Sequence, residues 1–120
     1  MFISDGMASN ATRYERAHVD TDGHRMLTID APFRELFAHG TLSVEIYRPV
    51  GEDRQQAHAR DEVYVVIAGS GDFICGGERR AFVAGELLFV PAGAAHRFEH
   101  FSDDFSTWVV FYGPQGGETA

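Results

Sequence analysis

From Thr41 onward the chain is a succession of short β-rich runs, each closed by glycine, proline or a polar cluster. The runs cover 42–47, 62–68, 72–75, 86–90, 96–101 and 107–112, and turn residues occupy 49–51, 69–71, 76–77, 84–85, 91–93 and 102–104 between them. Parallel sheets need crossover segments of a dozen or more residues, usually helical, and nothing between these runs has that pattern. The remaining solution is a set of antiparallel sheets packed as a sandwich or closed as a barrel, so the fold class is mainly β.

One segment reads as a helix. In 30–40, Asp30 fits an N-cap, Pro32 the first turn and Gly40 the C-terminal stop, while Phe33, Leu36 and Phe37 fall three and four residues apart as a buried stripe. At 120 residues the chain holds one hydrophobic core rather than two, and a single domain over 13–113 is expected. The ends, 1–12 and 114–120, offer little to bury and are expected to be flexible termini.

Composition excludes several classes of function. With 44% hydrophobic and 23% charged residues there is no apolar run near the ~20 residues of a membrane span. The first residues lack a basic segment followed by an apolar stretch, so a cytoplasmic protein is expected. A net charge of −8 repels phosphate backbones, and the ten Lys and Arg residues are scattered, which argues against a nucleic-acid partner. The single cysteine, Cys75, has no intrachain partner and reads as a small buried hydrophobe. Asp103-Asp104 and Arg79-Arg80 read as solvated loops, and His18, His24 and His39 as structural or solvated histidines.

Two segments carry chemistry. On a strand, Gln56 and His58 share a face about 7 Å apart, whereas Glu62 would lie about 13 Å from His58, so a common ligand requires a bend at 59–61. His96 arrives from elsewhere, just after the Pro91-Ala92-Gly93 turn. His100 shares its parity but sits about 13 Å further along, too far to be a ligand of the same ion. Two imidazoles and a carboxylate are a ligand set for a divalent transition metal that leaves positions free for substrate or oxygen. Tyr64 shares parity with Glu62, and Phe98 with His96, so both are candidate substrate-binding walls, with Trp108 and Arg48 as further pocket candidates.

These positions resemble the cupin superfamily, in particular its small single-domain conserved-barrel members. The second cupin motif is matched by Gly85, Pro91, Gly93 and His96 at every spacing, and the first by His58, Glu62 and Gly69. Gln56 stands where the first motif has histidine, Gly51 is one residue closer than the motif asks, and His100 replaces its terminal asparagine. The resemblance implies a double-stranded β-helix (jelly-roll barrel), a metal near the barrel axis, and a homodimer. It makes His58, Glu62 and His96 a facial triad, with Gln56 a fourth ligand or only a neighbour, and leaves Fe, Mn, Ni, Co and Zn open.

The function expected from these residues is action on a small organic molecule at a divalent metal, possible chemistries being those of a dioxygenase or an isomerase, with Glu62 as ligand and base. Two alternatives stay open: a non-catalytic small-molecule binding or sensing module, and a metal-free isomerase or epimerase with a histidine base.

Overall fold

Alternation of side chains across strands is what builds this molecule. Residues 32–119 are described here from a computed structural model, and they form eight strands: β1 (Phe33–His39), β2 (Leu42–Tyr47), β3 (Asp61–Ala68), β4 (Ser70–Cys75), β5 (Glu78–Val83), β6 (Leu87–Val90), β7 (His96–Glu99) and β8 (Ser106–Tyr112). In β3, Glu62, Tyr64 and Val66 are buried while Val63 and Val65 between them are only partly covered. That period of two sends one set of side chains inward along the whole strand.

Every strand pair is antiparallel. A five-stranded sheet runs β1-β2-β8-β3-β6 and a three-stranded sheet runs β5-β4-β7, giving the two layers of a jelly-roll barrel. Aromatic rings fill the space between them. Phe98 is the hub, with ring centroids 4.7 Å from Phe105, 4.8 Å from Phe73, 4.9 Å from Tyr64 and 5.3 Å from Phe82. Such offset and edge-on pairs add to the burial of each ring, so this cluster fixes how the sheets face one another.

The helix expected over 30–40 is not there: Phe33–His39 is β1, paired with β2 from Phe33↔Tyr47 to His39↔Leu42. Asp30 and Ala31 lie outside the described residues. A register shift between Glu35 and Phe37 explains the misleading pattern, because a bulge breaks the strand period and leaves apolar residues at helix-like spacing. Gly40, at φ +60°, is the first residue of a two-residue hairpin turn rather than a helix stop.

Arg79 and Arg80 also lie on a strand, not in a loop. They belong to β5, which the double-glycine turn Gly76-Gly77 (φ +60° and +85°) folds back on β4. Arg79 reaches Glu99 at 2.6 Å and Asp72 at 3.1 Å, so its exposed strand is held by side chains from β4 and β7 as well as by its backbone. Beyond β8, Gly116 N donates to Ala59 O (2.7 Å) and Glu118 N to Asp61 Oδ2 (2.8 Å). Among the described residues no helix is long and apolar enough to cross a membrane.

A buried carboxylate anchors the long connection between β2 and β3. Asp53, 7% exposed, accepts hydrogen bonds from Tyr47 Oη (2.5 Å), Gln55 N (3.1 Å), Gln55 Nε2 (3.0 Å) and Phe98 N (2.9 Å). It thereby joins β2, the connection and β7. Asp53→Ala leaves those donors unsatisfied and is expected to cost about 2 kcal/mol, read from the midpoint of a urea unfolding curve. An unchanged midpoint would show that water replaces the carboxylate without loss.

Candidate metal centre

Three chain segments converge at one end of β3. Glu62 is the second residue of β3 and is 1% exposed, His96 opens β7, and His58 comes from the connection that precedes β3. Residues 48–60 form no strand, and the chain bends at Ala59-Arg60 as the spacing demanded. The result brings His58 Nδ1 to 3.3 Å and His96 Nε2 to 3.0 Å from Glu62 Oε1, with the imidazole centroids 5.4 Å apart. Ligand atoms of all three residues fall within 4.8 Å of one another.

The two sequence motifs interlock through the backbone. Gly93, at φ +81°, donates its N–H to His58 O at 2.7 Å, so the turn that launches β7 also fixes the carbonyl of the first histidine. Asp61 continues the lock by accepting from Ala92 N (2.9 Å) and Glu118 N (2.8 Å), and these backbone hydrogen bonds hold its carboxyl below the usual range. His96 Nδ1 lies 3.0 Å from Ala94 O. As a donor to that carbonyl, Nδ1 keeps its proton and leaves Nε2 to face Glu62.

The donor set fits a metal on a physical ground. His58 Nδ1, both carboxylate oxygens of Glu62 and His96 Nε2 are buried with no hydrogen-bond partner, although His96 and Glu62 stand close enough for one. The approach of 3.0 Å therefore lacks hydrogen-bond geometry. Buried polar atoms without partners are costly, and a shared divalent ion would satisfy all of these at once. Burial works against a charged His96, but the adjoining Glu62 carboxylate and the Ala94 carbonyl outweigh it and raise its pKa.

A cavity of about 480 Å³ opens beside this cluster, bounded by Tyr47, Gln55, His58, Val109, Phe111 and Glu45 among others. Its size is ordinary for a small organic ligand. Of the residues expected at the site, Gln56 is exposed, and Gln55 is the neighbour that lines the cavity and accepts from Tyr64 Oη at 3.1 Å. The period-two argument for Gln56 fails because its segment is not a strand. Tyr64 and Phe98 are fully buried in the aromatic core; Tyr64 reaches the site from behind, its ring 6.0 Å from that of His96. Burial, then the Glu62 and Asp53 charges, push its phenol well up, so it stays protonated. Trp108 has the opposite parity on β8 from the cavity residues Val109 and Phe111, and Arg48 donates to Asp103 O at 3.2 Å on the surface. Neither lines the cavity.

Glu45 escaped the sequence reading. It alternates inward with Ser43 and Tyr47 on β2, and it lines both this cavity and an adjoining one with His58 and Phe111. Burial, followed by the charges of Glu35 and Glu62 and offset by Arg60, raises its pKa to about 7. The alternation of 42–47 pointed the other way, because apolar Leu42, Val44 and Ile46 read as the inward face.

With fold and geometry in hand, comparison with known proteins is direct. Residues 43–112 match the cupin domain family, and the chain belongs to it. An uncharacterised protein of Streptomyces coelicolor is 36% identical over 88 residues, covering 72% of this chain and 84% of that protein. The crystal structure of a cupin 2 conserved barrel domain protein from Salinispora arenicola superimposes with a TM-score of 0.64 at 18% identity, over 82% of this chain and 90% of that one. A structure from Ralstonia eutropha described as a candidate mannose-6-phosphate isomerase gives a TM-score of 0.55 at 27% identity, over 73% and 92% of the respective chains.

Proposed function

We propose that this cupin holds a divalent transition metal through His58, Glu62 and His96 and acts as an enzyme on a small organic molecule lodged in the adjoining cavity. The observation that carries this reading is the convergence of buried, unpartnered donor atoms from both motifs on one point. Two imidazoles with one carboxylate form the facial ligand set of non-haem iron oxygenases, which favours a dioxygenase over an isomerase. When bound, the metal would supply Lewis acidity or a site for dioxygen.

The residues around the cluster have separate tasks. The Ala94 carbonyl orients the His96 ring, and Tyr64 holds Gln55 at the cavity wall. Phe111, whose ring centroid is 4.9 Å from that of His58, shields one side of the site from water. Water exclusion strengthens every electrostatic interaction inside.

The raised pKa of His96 gives this reading a signed test. The metal must displace a proton from that imidazole, so apparent affinity for zinc, measured by calorimetric titration, is expected to fall about ten-fold per pH unit once the pH is below the raised value. An affinity independent of pH between about 5 and 8 would contradict ligation by His96.

The homodimer belongs to the same proposal. On β6, an edge strand, Leu87 is 65% and Phe89 51% exposed, and they pair across the sheet with Val65 and Val63. An apolar edge of this kind invites pairing, here with a second copy of the chain. Sedimentation analysis is expected to show a dimer that Phe89→Lys weakens. A wild-type monomer at about 100 μM would rule it out, since stable interfaces bind well below that.

A further inference from the structure

The two cavities meet at three residues, Glu45, His58 and Phe111. Glu45 is the one of these outside the proposed ligand set that carries a charge. Among the described residues its carboxyl has no hydrogen-bond or ion-pair partner, although it is half-buried and faces the cavity. A carboxyl withdrawn from water without a partner is poorly satisfied until a ligand donates to it.

The surrounding charges sharpen the point. Arg54, the only cationic side chain among the larger cavity's lining residues besides His58, is bound to Glu52 at 2.9 Å. In the adjoining cavity Glu35 accepts from Ser43 Oγ at 3.0 Å, and Arg60 donates to the Thr41 carbonyl with its guanidinium 5.8 Å from the Phe111 ring centroid. Glu62 adds a further carboxylate behind His58. Among the described lining residues of the larger cavity, the exposed Arg54 is thus the one side-chain cation besides His58, and no buried cation faces Glu45. The remainder of that wall is mostly apolar, with Phe33, Pro49, Val50, Val109 and Phe111, while the polar groups of Gln55 and Tyr47 are bonded to Asp53.

We infer that Glu45 is a specificity-determining residue which receives the O–H or N–H donor of a neutral or cationic ligand with an apolar body, and that the wall around Glu45, away from the proposed metal, disfavours carboxylates and phosphate esters. This rests on the cavity being the substrate site of the proposed enzyme, and it names the class of molecule that site takes. The sugar phosphate in the description of the Ralstonia protein falls outside that class. An ammonium donor adds an ion pair to the hydrogen bond that an alcohol would make with the Glu45 carboxylate, so amines are the tightest members.

The test uses benzylamine, benzyl alcohol, benzoate and phenyl phosphate as probes, with dissociation constants from ligand-observed NMR. Each is measured on the protein as purified and again after chelator treatment, with zinc uptake recorded on the same samples. In the chelator-treated protein, where no ion on His58 can attract the anions, benzylamine is expected to bind at least about ten-fold more tightly than benzoate or phenyl phosphate. Glu45→Gln is expected to remove that preference, and Glu45→Asp, which keeps the charge, to retain it. In the chelator-treated protein, equal or tighter binding of the anions, no binding of benzylamine, or a preference that survives Glu45→Gln overturns the inference. Absence of zinc uptake with the preference intact would instead count against the metal reading alone.

Discussion

His96→Ala is expected to lower the affinity for a divalent metal by at least about 100-fold while leaving a folded barrel. The ring is fully buried, its Nδ1 is committed to Ala94 O, and its Nε2 faces Glu62, so the substitution removes one of three donors and leaves the carboxylate alone with His58. Thermal unfolding reads the effect. A metal that binds only the native state stabilises it by about 2.7 kcal/mol at 100 times its Kd, a gain the wild type shows and the variant loses. Glu62→Ala is expected to behave in the same way, since its Oε1 lies against both histidines. A metal-induced shift retained in both variants would place the ion elsewhere.

Gly69→Ala is expected to destabilise the protein by about 4 kcal/mol, combining strain at positive φ with a clash against backbone. Gly69 sits between β3 and β4 at φ +90°, and a Cβ there would lie 2.6 Å from Phe105 Cα and 2.9 Å from Phe105 N. Backbone cannot rotate away as a side chain does. The segment it would push is itself fixed by Ser102 N to Ser70 O (2.9 Å) and Phe105 N to Ser102 O (3.1 Å). For a domain of this size the loss corresponds to a fall in Tm of about 15–25 °C by calorimetry. Because Gly69 is about 23 Å along β3 from Glu62, the folded fraction is expected to keep its metal stoichiometry. A Tm within about 3 °C of wild type would mean that the turn relaxes at little cost.

The same contact explains why a glycine closes the first motif. The resemblance to the two cupin motifs located Gly69, Gly93, His58, Glu62 and His96, and the turns at Gly69 and Gly93 show why glycine stands at two of them. β2, β3 and β8 were legible as short β-rich runs bounded by turn residues, and β3 also by its inward alternation. What sequence concealed was local geometry. The bulge in β1 imitated a helix, and β5, with two arginines ahead of a single buried Phe82, resembled a loop. Gln55 rather than Gln56 lines the cavity because the segment before the bend is not a strand. Glu45 went unseen because it shares a face with Ser43 opposite apolar Leu42, Val44 and Ile46, belongs to neither motif, and comes beside His58 only when the barrel closes.

Elemental analysis of protein purified without chelator or metal-affinity tag tests the central claim most directly. About one equivalent of a divalent transition metal per chain is expected in the wild type and in Gln56→Ala, with less than about a tenth of that in His58→Ala and His96→Ala. A metal-free wild type that takes up no Fe(II), Mn(II), Co(II), Ni(II) or Zn(II) on addition would contradict the account.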